Sequence, residues 1–330
     1  MKRQWFQHVA TWAGAVALAM PLCMTQAQAQ AQPYPNKPIR FLVPFTAGSG
    51  TDLIARTVGD AMSRSMGQPI VVENRPGAGG SLATAQVARG EADGYTVLIP
   101  SSSHAVNPAI YTNLSYDTVR DLTGITPLAA LPNVMVVSPA RGWKTVADVL
   151  AAARAKPGQL NYASAGVGSA THLNAEKFKL QAGFEAQHIP FKGTPEALAD
   201  VMGERTDWYF SPLSSALPLI RENKLLALAV STSQRTATLP QVPTTVEAGV
   251  PGSDFVFWVG MIVNAQTPPA IQQRLHAEAL KALADPEVKD RLTRLGAEPY
   301  PMQPEAFNAF IRTEMDAAAR IAKAANLKGQ

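Results

Sequence analysis

The chain has 330 residues, 29 Lys and Arg against 25 Asp and Glu, and a single cysteine. Its basic residues are scattered singly, which excludes the clustered positive surface that nucleic-acid binding needs. One cysteine excludes a disulfide framework and any multi-cysteine metal site.

The first segment reads as an export leader. Lys2 and Arg3 are followed by an apolar stretch over residues 9–22, too short to span a bilayer, and then by overlapping Ala-x-Ala sites up to Ala31. Cleavage is expected after Ala29 or Ala31, with residues 1–31 removed and the protein periplasmic. Leu22 precedes Cys23, where a lipid-modified cysteine normally follows a small residue. Without Lys2 and Arg3 the basic residues number 27 against 25 acidic, and no cysteine is left to act as a nucleophile. The body is long enough for two lobes of roughly 100–150 residues each.

Beyond the leader, short apolar runs alternate with helical stretches, the pattern of parallel α/β structure. Residues 39–43 read as a strand, followed by a glycine loop and a helix over 51–65 with Leu53, Ile54, Val58 and Met62 on one face. Residues 70–72 make a strand, 74–80 a turn, and Ser81 opens an alanine-rich helix. Residues 96–99 make a third strand, ending in the polar loop Ser101-Ser102-Ser103-His104. The chain changes character around 127–132. A strand over 134–137 leads into a second lobe, with a helix over 145–155, a strand over 160–164 and a second glycine loop. Strands over 187–191, 207–210, 225–230 and 256–263 follow, then helices over 270–283 and 304–325. The simplest topology returns those last helices to the first lobe. That gives lobe 1 over 32–130 and 254–330, lobe 2 over 131–253, and a hinge near 127–133 and 250–257.

Two loops resemble each other. Phe45-Thr46-Ala47-Gly48-Ser49-Gly50-Thr51-Asp52 and Ser164-Ala165-Gly166-Val167-Gly168-Ser169-Ala170-Thr171-His172 each carry Gly-x-Gly followed by a hydroxyl residue. Glycines let the backbone turn, the hydroxyl caps a helix, and the first-turn amides lack partners within it. With the helix dipole, such an end binds a carboxylate or phosphate without lysine or arginine. A tight βα connection explains either loop alone equally well. Two in separate lobes point to an anion clamped from both sides. Neither is a dinucleotide fingerprint or a P-loop, since Leu53 stands at the third glycine position and no Gly-Lys-Ser/Thr follows.

Enzyme chemistry finds little support. The residues around Ser164 lack the first glycine of a nucleophile elbow, and His104, His172, His188 and His276 show no metal spacing. No metal and no cofactor is expected. His172 reads first as a capping or packing histidine and second as a ligand contact. Asp52 reads as mainly structural, with contact to an amine-bearing ligand as the alternative. Phe45 walls a pocket or joins the core. Ser101, Ser102 and Ser103 lie at a strand end where ligands sit in α/β sheets, or form a solvated loop. Lys192 reads as a surface lysine ahead of a charge near the cleft.

The chain resembles the Bug family of bacterial extracytoplasmic solute receptors, the binding components of tripartite tricarboxylate transporters. The resemblance rests on Tyr34-Pro35-x-Lys37-Pro38-Ile39-Arg40, Val43-Pro44-Phe45, Thr51-Asp52 and Glu73-Asn74-Arg75-Pro76-Gly77-Ala78-Gly79-Gly80. Asp93-Gly94-Tyr95-Thr96, Asn107-Pro108, the loop from Ser164 to His172 and Phe191-Lys192-Gly193 extend it. It implies a two-lobed type II periplasmic-binding-protein fold with a hinge, closing over a small carboxylate such as a dicarboxylate, tricarboxylate, amino acid or aromatic acid. It implies ligand contacts from Phe45, Ala47, Gly48, Ser49 and Gly50, and from Ser164, Gly166, Gly168, Ser169 and His172. Asp52 and Ser103 complete the candidates. The partners implied are the transporter's membrane subunits, with a monomeric receptor. A receptor feeding a sensor kinase and an exported α/β hydrolase are the alternatives. The family often has adjacent glycines in the first loop where this chain has Gly48-Ser49-Gly50, so the ligand's identity does not carry over.

Overall fold

Apolar runs rich in Val, Ile, Leu and Phe become strands, and amphipathic segments become the helices that cover them. The computed structural model describes residues 34–328, so the leader expected over 1–31 lies outside the described residues. The chain opens with β1 (Ile39–Val43), α1 (Gly50–Met66), β2 (Ile70–Asn74), α2 (Ser81–Ala88), β3 (Thr96–Leu98), α3 (Ser103–Ile110) and the long β4 (Leu122–Leu131). Past Pro132 come β5 (Asn133–Val137), α4 (Val146–Ala155), β6 (Asn161–Ser164), α5 (Ala170–Ala182), β7 (Gln187–Pro190) and α6 (Thr194–Met202). Next are β8 (Trp208–Pro212), α7 (Leu213–Arg221) and β9 (Leu226–Val230). The last part holds β10 (Phe257–Asn264), α8 (Pro269–Ala284), α9 (Pro286–Arg294), β11 (Glu298–Pro299) and α10 (Pro304–Ala324).

Two sheets result, ordered β11-β4-β10-β3-β1-β2 and β7-β6-β8-β5-β9. They are mixed rather than wholly parallel, which corrects the reading from alternation alone. β1 pairs parallel with β2 and β3, and β6 with β7 and β8, whereas β10 runs antiparallel to β3 and β4, and β5 to β8 and β9. The antiparallel strands include those that carry the chain out of the first sheet and back into it. β4 leaves and β10 returns, so they lie side by side in opposite directions. The polar segment after β3, expected as loop, begins α3, a helix that keeps Pro108 inside and packs against α10.

Each sheet is covered on both faces. Along β1, Phe41 packs with Ile54, Val58 and Met62 of α1, while the next residue, Leu42, packs on the opposite face with Trp258, Phe307 and Ile311. In the second sheet Val134 and Val136 join one core, and Met135 and Val137 join another with Tyr162, Phe178 and Trp208. The two crossings are stitched together. Asn133 donates its amide to Ser231 Oγ at 3.2 Å, and the Ser231 amide donates to the Asn133 carbonyl at 2.8 Å. Ser231 Oγ donates in turn to the Phe255 carbonyl at 2.8 Å.

The last helices return to the first sheet, and Phe307 anchors α10 there. Its ring lies where a Cβ on Gly124 or Gly260 would stand, 2.6 Å and 2.7 Å from ring atoms. Phe307→Ala is expected to cost about 3–5 kcal/mol by urea unfolding, as for large buried aromatics. Val71→Ala, at a half-exposed strand position, should change stability by less than about 0.5 kcal/mol.

Candidate functional site

The first loop leaves β1 at Pro44 and turns into α1. Asp52 braces it from the first turn. Its carboxylate accepts from the Gly48 amide at 2.9 Å, from Asn74 Nδ2 at 2.9 Å and from Arg56 Nε at 3.1 Å. Asn74 Nδ2 also donates to the Phe45 carbonyl at 2.9 Å, tying β2 to the loop. Burial alone would raise the Asp52 pKa, but Arg56, the Gly48 amide and Asn74 together hold it below the usual carboxylate value. The carboxylate is thus spent on its own loop. Ser49 takes the cap position without making a side-chain cap bond, and its buried Oγ has no partner among the described residues.

The second loop is wired differently. Ser169 Oγ caps α5 by accepting from the His172 amide at 3.2 Å. Thr171 Oγ1 accepts from the Ala165 amide at 3.0 Å, Ser164 Oγ from the Gly166 amide at 3.0 Å, and the Gly166 carbonyl from the Ser169 amide at 3.0 Å. His172 Nδ1 accepts from the Gly168 amide at 3.4 Å. The loop amides expected to be bare are therefore engaged within the loop. What points onward is the first turn of α5, whose leading amides have no acceptor inside the helix.

Between the sheets these parts meet around one small cavity. Phe45, Ser49, Gly50 and Thr51 line it from the first loop, with Ser101 beside them. Ala165, Ser169, Ala170 and Thr171 face them from the second loop. Thr194, Pro212 and Phe257 complete the wall. Five helix starts are represented, by their own first residues or by residues just before them. Gly50 opens α1, Ala170 opens α5 and Thr194 opens α6, while Pro212 immediately precedes α7 and Ser101 lies two residues before α3. Five positive helix ends thus converge. Among the described residues no charged side chain lines the cavity. Ser214 Oγ, buried and without a partner among the described residues, lies 2.8 Å from where a Cβ on Gly50 would stand.

The cleft is closed. Thr46 Oγ1 donates to Glu196 Oε2 at 3.0 Å, Ser215 Oγ to the Gly48 carbonyl at 3.1 Å, and Tyr111 OH to the Val167 carbonyl at 2.8 Å. The cavity volume is only about 10 Å³. Outside it, sharing Ala165, opens a cleft of about 590 Å³ between Gly77, Gly79 and Tyr111 on one side and Gly166, Val167, Phe191, Lys192 and Glu196 on the other. A larger groove of about 720 Å³ lies between α4, α5 and the end of α10, remote from the helix starts.

Of the residues singled out from the sequence, Phe45, Ser49, Gly50 and Ser169 line the cavity. Gly166 lines the outer cleft, along with Lys192. Ala47 and Gly48 are exposed at the loop's tip. Ser103 starts α3 and accepts a hydrogen bond from Ser101 Oγ, so Ser101 faces the cavity in its place. Gly168 packs under Tyr111, within 2.7 Å of its ring measured from a built Cβ. Asp52 stays behind the first loop. Ser164 is buried, with its Oγ 2.5 Å from His188 Nε2. His188 in turn stacks on His172 at 3.9 Å and on Tyr162 at 5.0 Å, and the serine hydroxyl is fully buried. His172 belongs to this stack of rings, outside the cavity lining. Thr171, Thr194, Pro212 and Phe257 were not read from the sequence. Thr194-Pro195-x-x followed by apolar residues is a helix-start signal that could have placed α6.

The family model for the tripartite tricarboxylate transporter family receptor, TctC, matches residues 54–327. The chain belongs to this family. Among solved structures, the periplasmic binding protein BugD superposes with a TM-score of 0.86 at 30% identity, over 90% of this chain and 100% of that one. Rpa4515 of R. palustris, solved with adipate, gives 0.86 at 32% identity over 89% and 99%. MatC (Rpa3494) from Rhodopseudomonas palustris, solved with bound malate, gives 0.83 at 29% identity over 87% and 99%. The chain is accordingly a TctC receptor of the Bug type with a two-lobed periplasmic-binding-protein fold, and these relatives are binding proteins.

The buried rings bear on acid stability. Burial, and then the charge of Lys179, lower the His172 pKa; burial, then His172 and Lys179, lower that of His188. Burial pushes His104 down to about 4. Protons then bind the unfolded chain first as pH falls below the free histidine value of 6.5. Stability should be full above pH 6.5 and fall between there and about pH 4, by up to about 1.4 kcal/mol per pH unit per histidine. Urea midpoints across this range, with His104→Asn giving a shallower slope, check it.

Proposed function

We propose that this receptor captures a small carboxylate in the periplasm, closing residues 32–130 and 254–330 as one lobe against 131–253 as the other, and hands it to the membrane subunits of a tripartite tricarboxylate transporter. The observation that carries this reading is the convergence of five helix starts on a cavity without a charged side chain. Amides from opposed helix ends supply donors and partial positive charge for an anion. Ser49 Oγ and Ser214 Oγ, both buried and unpartnered among the described residues, add hydroxyl donors.

Family membership supports the carboxylate class, since relatives of similar shape were solved with adipate and malate. The stitched crossing at Asn133, Ser231 and Phe255 supports hinge motion there, because only short segments connect the two sheets. Closure requires that a ligand gain contacts in the closed state that it lacks in the open one. The cross-lobe bonds hold the lobes shut around a cavity with room for about one water, so a carboxylate enters with the lobes further apart and gains contacts from both walls as they close on it. The lining offers serine and threonine hydroxyls but no histidine, lysine or carboxylate to act as a base, which favours binding over turnover.

Calorimetric titration of the purified chain with a panel of small carboxylates tests the proposal. Gly50→Val, whose side chain would strike Pro212 and Ser214 on closure, should weaken the tightest binder at least 100-fold. Lys192→Ala should change affinity less than about threefold. The opposite ranking would show that side-chain charge holds the ligand. Turnover of an ester or amide with no carboxylate bound would replace the receptor reading with an enzyme.

A further inference from the structure

Next to the cavity wall two asparagine side chains are left half-used. Asn133, the first residue of β5, donates from Nδ2 to Asn174 Oδ1 at 2.9 Å, and both residues are fully buried. Asn133 Oδ1 and Asn174 Nδ2 have no partner among the described residues. This does not depend on how the amides are set. If both were turned over, the pair would still share one bond and keep one donor and one acceptor to spare. A buried polar atom without a partner costs about 1–3 kcal/mol, so two side by side call for an explanation.

Their position supplies one. Asn133 is the register partner of Pro212, and Pro212 lines the cavity. On β5, Met135 and Val137 face the core that includes Ala175 and Phe178 of α5. Strand alternation puts Asn133 on that same face, in agreement with its bond to Asn174 of α5. Asn174 lies one helical turn beyond Ala170 and Thr171, so it shares their face, and both of them line the cavity. The amide pair therefore stands directly behind the cavity wall, beside Pro212 on one side and the first turn of α5 on the other, with neither asparagine itself among the lining residues. It sits on the lobe 2 side, at the foot of the crossing strand.

We infer that Asn133 and Asn174 read the far end of the bound molecule. This rests on the reading that a carboxylate is held at the helix starts. With one donor and one acceptor adjacent, the pair matches a group that both gives and takes a hydrogen bond, namely a hydroxyl or a primary carboxamide. A methyl group leaves both atoms unsatisfied. A second carboxylate satisfies the donor but sets its lone pairs against the acceptor, with no cation beside it. The ligand class assigned is a short carboxylic acid bearing a hydroxyl or amide at its distal end.

Calorimetric titration of the full chain with butyrate, 4-hydroxybutyrate, succinamate and succinate tests this. The expected result is that 4-hydroxybutyrate and succinamate bind at least tenfold more tightly than butyrate and succinate. Asn174→Leu should bring that ratio to within about threefold by weakening 4-hydroxybutyrate and succinamate far more than butyrate, a selective pattern that general loosening of the fold would not give. The preference is read first on the unaltered chain, so it decides the matter even if the variant fails to fold. Equal binding of all four by the unaltered chain, or an undiminished ratio in Asn174→Leu, overturns the assignment and leaves carboxylate capture standing. Binding of none of the four, with other carboxylates bound, also overturns the assignment alone. Binding of no carboxylate at all overturns both readings.

Discussion

Amide groups at the start of a helix have no acceptor inside it, and this chain brings five such starts to one place. The rest of the architecture follows from that constraint. Parallel βα units release their helices at the carboxyl ends of the strands, so each sheet gathers its helix starts along one edge. Residues at helix starts of both sheets line the one cavity. The partial charges of α1 and α5 are then opposed across the cavity, with α3, α6 and α7 at its sides. Like-signed ends placed together repel, and an anion between them turns that repulsion into attraction.

The two glycine loops serve this arrangement by different means. In the first, a buried carboxylate, Asp52, holds the loop from behind and keeps its own charge away from the cavity, neutralised by Arg56. In the second, hydroxyls and one imidazole hold the loop from within. Gly50 lets the backbone of the first loop lie directly against the side chains of Pro212 and Ser214. The hydrogen bonds from Thr46, Ser215 and Tyr111 across the cleft all surround this contact. Rigidity in each lobe comes from large buried rings, Trp208 and its neighbours in one and Trp258 with Phe307 in the other.

Much of this was legible in the sequence. The strand–glycine–helix sequence at Gly48-Ser49-Gly50-Thr51 announced a helix start, because glycine and a capping hydroxyl have few other uses at that spacing. The second loop announced its helix equally well, but not that Thr171, Ser164 and His172 would occupy its amides. That depends on which way side chains turn after folding. Helix α3 was hidden because serines and Pro108 read as loop, and packing against α10 overrides that local preference. Helix α7 was obscured by Pro212 and Pro218, whereas Thr194-Pro195 carried a start signal for α6 that went unread. The direction of β10 depended on the chain's return from the second sheet, which no local pattern records. Asn133 and Asn174 stand 41 positions apart, and nothing in either neighbourhood marks them as a pair.

Among the described residues the cavity wall carries no charged side chain, so under the proposed function the anion's donors belong largely to the main chain. A substitution in the wall that adds no bulk at a close approach such as Gly50, and is not to proline, alters polarity there while every main-chain donor stays in place. After gene duplication, one copy can explore new walls while still holding some acid, and no intermediate sequence need lose binding altogether. Under the proposed function the backbone sets the class of molecule held, and the side chains around it choose the member.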